Sequence, residues 1–236
     1  MIRVDRAELT RHEIIRVAAN RFLKDGYTKT TVASMAKTLK MSTGNMTFHF
    51  PTKDHMLAEL VDMLGKYQWK VMEDEAKEGY SSIMAICLEL LTIASACEQD
   101  EVAKDFFLST YRSELCMDLI RKNDKERARQ VFKDYCPDWT DEYFEEAEAL
   151  VSGIEYATLF TTSGSAPVEV RVGGALRTIL SIYNVPKEVR EQKIKKALSM
   201  DYQALALDTL KKFREYVDKA TEQALHNLLT RKQTVE

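Results

Sequence analysis

Residues 30–53 read TTVASMAKTLKMSTGNMTFHFPTK, and no other run in the chain leaves so little choice of local structure. Thr30 and Thr31 carry hydroxyls suited to capping a helix start. Val32, Met35, Ala36 and Leu39 then recur three and four apart, the spacing of a single apolar helix face. Lys40 falls in a tight turn before Ser42 offers a second cap. Beyond it Thr43, Gly44, Asn45 and Thr47 give a second short helix a small polar outer surface, and Phe50, Pro51 and Lys53 close the unit. Two short helices joined in this way form a helix-turn-helix, whose second helix fits the DNA major groove. Small polar side chains let that helix come close to base edges and exchange hydrogen bonds with them.

The net charge of −3 does not itself point to nucleic acid. Its distribution does. Residues 1–53 hold ten Lys or Arg against four acids, a balance of +6 that leaves −9 for the rest. A basic head on an acidic body suits a protein that meets phosphate at one end only. Glycine (8) and proline (4) are scarce and long segments carry a 3.6-residue period, so the expected fold class is all-α. Cys87, Cys97, Cys116 and Cys136 form no CxxC pair and read as free, mostly buried thiols of a cytoplasmic protein. A redox-sensing role would need one of them exposed with a lowered pKa. Met1–Thr10 lacks the apolar run of a signal peptide, and no stretch of 18 apolar residues suggests a membrane span.

The first helix is expected over about residues 10–24, with Ile14, Ala18 and Phe22 inward and Gly26 ending it. Thr52 is placed to cap a long helix, with Met56, Leu57, Leu60, Met63 and Leu64 on its apolar side. The expected division is a head over residues 1–52 and a body over 53–236, linked by the helix of about 53–76. Body helices are expected over 81–97, 101–120 with a break near Thr110-Tyr111, 125–135, 140–160, 168–183, 187–200 and 202–229. Leu205, Thr209, Phe213, Tyr216, Ala220, Ala224 and Leu228 form a stripe on the last of these. Gly173-Gly174 reads as a close helix crossing.

Met41, Ser42, Gly44, Phe48, His49, Phe50, Pro51 and Lys53 resemble the signature run of the TetR family of bacterial repressors. The resemblance extends upstream through Ile14, Ala18, Phe22, Gly26, Tyr27, Thr30, Val32 and Ala36, and it covers roughly residues 10–60. Two positions depart from the family pattern. Thr47 stands where Tyr is common, and Lys40 stands in the turn where Gly is usual, which calls for a positive φ at a residue with a side chain. The resemblance implies an N-terminal three-helix DNA-binding domain on a helical-bundle body that binds a ligand and dimerises. The implied function is repression from a palindromic operator, relieved by a small molecule.

The DNA-facing candidates are Thr31, Ser42, Thr43, Gly44, Asn45, Thr47, His49 and Lys53. Asn pairs bidentately with adenine, and the Thr methyl meets that of thymine. The resemblance puts Lys53 on a backbone phosphate, while His49 either donates to a phosphate or packs against the head. Phe48 and Phe50 read as core plugs. In the body, Tyr111, Arg112, Glu155, Tyr156, Thr158, Thr161 and Arg177 are polar residues inside apolar helices and candidates for lining a cavity, whose ligand would be small and partly apolar. Expected partners are thus double-stranded operator DNA, that ligand, and a second copy held through the C-terminal helices, with the 140–160 helix or its neighbour. No cofactor, metal or membrane is expected, since His12, His55 and His226 lack ligand spacing. No GxGxxG, P-loop, GxSxG or HExxH occurs, so no enzyme chemistry is indicated. The alternative is a dimeric interaction protein of the same fold, with DNA as anchor and no inducer.

Overall fold

The structure, a computed structural model, describes residues 6–77 and 82–233. Arg3, Asp5 and Ser81, which entered the charge count or the expected helices, lie outside the described residues, as does the side chain of Leu228. All regular structure among the described residues is helical. The head comprises α1 (Arg6–Phe22), α2 (Val32–Thr38) and α3 (Thr43–His49), and α4 (Lys53–Ala76) leads away from it. The body adds α5 (Ile83–Gln99), α6 (Glu101–Arg112), α7 (Glu114–Phe132), α8 (Asp141–Leu159), α9 (Val168–Ile182), α10 (Lys187–Leu198) and α11 (Tyr202–Gln233).

Helix α5 is apolar on nearly every side, with Met84, Cys87, Leu88 and Leu91 fully buried. Such a helix belongs in the centre of a bundle, and it packs against α4, α6, α8, α9, α10 and α11. The buried apolar residues of head and body form one continuous cluster, running from Ile14, Phe22, Met35 and Met46 through Leu57 and Leu60 of α4 into the body. Three stop signals act as the sequence suggested. Gly26 takes φ +96 after α1, Lys40 takes φ +53 in the reader turn, and the Pro137 segment separates α7 from α8.

Some local expectations are corrected. Thr52 sits at the cap position of α4, but its hydroxyl bonds to His55 Nδ1 at 2.8 Å and caps nothing. The break expected near Thr110-Tyr111 falls at Ser113, and the charged 125–135 segment continues α7, with Cys116, Ala128, Val131 and Phe132 buried along it. Gly173-Gly174 marks no close crossing: a Cβ at Gly173 would meet only Arg177 of the same helix at 3.3 Å, and one at Gly174 would meet nothing within 4 Å.

The terminal helix joins head and body. The inner face of α11 is covered by its own chain, with Ala206, Thr209, Phe213, Val217 and Thr221 buried against α5, α4 and α1. Phe213 meets Tyr67 of α4, and the Thr221 hydroxyl donates to the His12 carbonyl of α1 at 3.5 Å. Ala220 and Ala224 flank a seam with the head. That stripe therefore holds the head against the body, while Leu207 and Tyr216 on the other side of α11 stay exposed.

Candidate functional site: a DNA-reading head and a body cavity

Helix α3 is anchored by one residue, Met46, which is fully buried against the head core. Ser42 caps it by accepting from the Asn45 N–H at 3.1 Å. Thr43, Gly44, Asn45 and Thr47 are exposed around the rest of the helix. A Cβ at Gly44 would meet nothing closer than Ser42 Oγ at 4.0 Å, so this side is open rather than packed on α2. The Thr47 hydroxyl donates to the Gly44 carbonyl at 3.1 Å, which turns its methyl outward. Thr31 closes a capping box with Ser34 at the start of α2, its hydroxyl accepting from the Ser34 N–H at 3.1 Å.

Phe48 corrects its expected role: it is 80% exposed, whereas Phe50 is buried. At 100° per residue, positions 48 and 50 point to opposite sides of the chain, and Phe50 shares its side with Met46. Phe48 instead stands on the outer surface with its ring edge-on to His49, centroids 5.3 Å apart. His49 is half-buried, and its carbonyl accepts from Arg11 at 2.8 Å. Arg11 also lies 4.2 Å over the Phe50 ring and pairs with Glu59 at 3.1 Å, joining α1, the end of α3 and α4. Nothing in the sequence pattern singled it out.

Lys53 turns inward. Its ammonium donates to the Tyr27 carbonyl at 2.9 Å and the Thr30 carbonyl at 3.0 Å, and lies 3.9 Å over the Tyr27 ring. Partial burial pulls its pKa below the ordinary lysine value. Two of its three donors thus clamp the loop between α1 and α2. The same loop is held from the body side: the Thr28 N–H donates to Asp105 of α6 at 2.8 Å, the Thr28 hydroxyl donates to the same carboxylate, and the Tyr27 hydroxyl donates to Asp54.

Residues 14–60 match the family described as bacterial regulatory proteins, tetR family. Over that stretch, about a fifth of the chain, the head is similar to the regulators of the tetR family. Over 68 residues it is 32% identical to the HTH-type transcriptional regulator QacR of Staphylococcus aureus, a stretch covering 28% of this chain and 36% of that protein. The chain thus spans about a third of the length of this relative. Among solved structures, TylP, a TetR regulator from Streptomyces fradiae, is 18% identical with a TM-score of 0.48, covering 89% of this chain and 99% of that one. The TetR-family protein CprB from S. coelicolor A3(2) is 21% identical with a TM-score of 0.41, covering 87% of this chain and 98% of that one.

The body holds a cavity of about 510 Å³ between α4, α5, α6, α7 and α8. Its walls combine Ile86, Leu90, Ile93, Phe106 and Phe107 with a polar set drawn from all five helices. Of the sequence candidates, Tyr111 and Glu155 line it, joined by a hydrogen bond from the Tyr111 hydroxyl at 3.0 Å. Arg112, Tyr156, Thr158 and Arg177 do not. Arg112 reaches the Tyr156 hydroxyl at 3.4 Å outside the cavity, Thr158 bonds back to the Ile154 carbonyl at 2.7 Å, and Arg177 pairs with Glu191 at 2.8 Å on the surface. Thr161 is likewise off the lining.

The lining residues missed by sequence reasoning are Gln68, Trp69, Glu73, Glu89, Asp124 and Arg127. Arg127 pairs with Glu89 at 2.8 Å and Asp124 at 3.4 Å, and lies 4.2 Å over the Trp69 ring. Burial pushes the Asp124 carboxyl up to about 6 against the pull of Arg127, and holds Glu155 well above the ordinary carboxylate range. The four cysteines are all buried, and loss of solvation pushes Cys97 up to about 12 and Cys116 to about 11, the opposite of a redox-sensing thiol.

Proposed function

We propose that this chain is a ligand-responsive transcriptional regulator, a cytoplasmic repressor that binds a palindromic operator as a homodimer and is released by a small molecule. The observation that carries it is α3: one buried anchor, Met46, and an otherwise exposed small polar surface on a head whose core is continuous with a hollow body. In this reading Thr43, Asn45 and Thr47 face base edges, and Ser42 and Gly44 allow the approach. Thr31 and His49 lie at the phosphate margin. Phe48 joins the base-facing set as an apolar contact for a thymine methyl. Lys53 has one remaining donor for phosphate and otherwise fixes the loop beneath the reader.

Two reader helices must enter successive major grooves about 34–36 Å apart, which requires a two-fold pair. The pairing surface is the outer side of α11, where Leu207 and Tyr216 are exposed, with α8 and α9, where Tyr143, Leu150, Phe160 and Val170 are exposed. Gly153, Ala157 and Gly174 are exposed beside them, small enough for close helix approach. Among the described residues no helix is long and apolar enough to cross a membrane.

The test is selection of a random duplex library on the purified chain, followed by affinity against salt. A palindromic consensus bound by a dimer, with affinity falling steeply as salt rises, is the expected result. Asn45→Ala should relax the preference at particular base positions of that consensus. No enrichment over random duplex would overturn the operator reading and favour the interaction protein without inducer.

A further inference from the structure

Charge fixes the chemical class of the body ligand. Carboxylates enter the cavity from four helices: Glu73 of α4, Glu89 of α5, Asp124 of α7 and Glu155 of α8. Arg127 answers them from within, while Lys66 and Lys70 are exposed at the margin and Lys66 is already paired with Asp62 at 2.6 Å. One carboxylate oxygen, Glu73 Oε1, is buried without a hydrogen-bond partner. The wall also carries the aromatic faces of Trp69, Phe106 and Phe107. Arg127 over Trp69, with Glu89 and Asp124 beside it, is itself a cation held by acids and a ring.

We propose that this cavity binds an organic cation carrying an aromatic or broad apolar group, the charge lying among Glu73, Asp124 and Glu155 and the rings against Trp69 and the phenylalanines. The proposal rests on the effector reading above and names its ligand. An anion entering this space would meet five carboxylates, Glu73, Glu89, Asp124, Glu126 and Glu155, against Arg127, which is already paired, and the exposed Lys66 and Lys70. A neutral guest would leave the excess of acid to be offset by bound protons alone in a partly desolvated site. A cation removes that penalty, and the rings attract it through their faces.

Burial already pushes Asp124 up to about 6 and holds Glu155 well above the ordinary carboxylate range, so protons already offset part of this acid. Behind the wall Glu148 of α8, with the Tyr183 hydroxyl donating to it, is pushed to about 8. Tyr111 faces Glu155 from α6. A cation favours the ionised forms, so its binding expels protons, and its affinity falls as pH drops through about 6.

The test is calorimetric titration of the full chain with three bicyclic probes: 1-methylquinolinium, its neutral counterpart 1-methylnaphthalene, and the anion 1-naphthoate. Each is run at pH 7.5 and pH 5.5, in two buffers of different ionisation enthalpy to count protons. Release of the selected operator duplex by each probe is measured alongside. The expected result is a cation bound at least about tenfold more tightly than the neutral probe, with proton release and weaker binding at pH 5.5. Glu155→Gln should narrow the gap between cation and neutral probe about tenfold. Glu73→Gln, at a partly exposed position where folding is secure, should narrow it in the same direction. Equal or tighter binding of the neutral or anionic probe, with release of operator, would overturn the cation class and leave the effector reading standing. Binding by none of the three, in a chain that holds its operator, would overturn the cation class and count against the effector reading as well.

Discussion

Glu148→Gln should stabilise this protein, and mainly at the alkaline end. Glu148 is buried on α8, accepts a hydrogen bond from the Tyr183 hydroxyl, and lies near Asp124 and Glu89. Loss of solvation first, then the charges of Asp124 and Glu89, push its carboxyl from 4.5 to about 8. A carboxyl raised on folding costs nothing below its unfolded pKa, and the cost grows as pH rises from 4.5 to about 8, where it levels off. The full cost is about 5 kcal/mol. Asp124 and Glu89 keep their own unfavourable burial after the exchange, so the expected gain at pH 8 is nearer about 2 kcal/mol, or roughly 4–8 °C in a chain of this size. At pH 5, just above the unfolded value, the gain should shrink to roughly a sixth of that at pH 8, because the folded state already holds the proton. Glutamine conserves shape, and its carbonyl still accepts from Tyr183. Urea melts of the two proteins at pH 5 and pH 8 decide it. A loss of stability at pH 8, or an equal change at both pH values, would refute the assignment of the cost to a buried charge.

Other expectations can be checked on the same footing. Lys40→Gly should raise stability by about 1 kcal/mol in a urea melt, because φ +53 strains a residue with a Cβ and suits glycine. Asp105→Ala removes the acceptor of both Thr28 bonds and should cost about 1–2 kcal/mol. It should also lower amide-exchange protection around residues 26–31 while α5 stays protected. Phe48→Ala should change stability by less than about 0.5 kcal/mol, as an exposed position does, yet weaken binding to the selected duplex. A loss of about 3–5 kcal/mol would instead mark a core position.

The head was legible because its determinants are local. Thr31 and Ser42 cap the helices they precede, and the spacing of Val32, Met35, Ala36 and Leu39 gives the inner face without reference to any distant residue. The same rule, applied to α3, separates Met46 and Phe50 from Phe48, and the angle between them was available from spacing alone. The cavity was not legible. Glu73, Glu89, Asp124 and Glu155 stand on four helices, and on any one helix a lone acid looks like an ordinary solvated charge. Asp124 lies in the charged run 121–127, whose surface character hid two residues, Asp124 and Arg127, that face inward. The stripe on α11 was correctly periodic, but periodicity states that a face is covered and not by what.

In the proposed reading, the route from ligand to reader helices follows from which residues are neighbours in sequence. Asp105, which holds Thr28 beneath the reader helices, directly precedes Phe106 and Phe107, which line the cavity. Helix α4 repeats the arrangement: Lys53 clamps the carbonyls of Tyr27 and Thr30, and 16 residues on, about 24 Å along a helix, Trp69 forms the cavity wall. Head and cavity therefore share two rigid elements, and the loop 26–31 is gripped by both. A guest that pushes α6 away from α4 between Phe107 and Trp69 would pull the Asp105 and Lys53 grips out of register. One must give, or the loop and α2 must move with it. The ligand acts only to the extent that it binds the displaced arrangement better, and about 1–3 kcal/mol of such preference is what coupled sites ordinarily show. The two Thr28 bonds to Asp105 are of that order. On this argument Asp105→Ala should do more than loosen the loop: a chain already released at Thr28 should hold its operator more weakly and respond less to the cation.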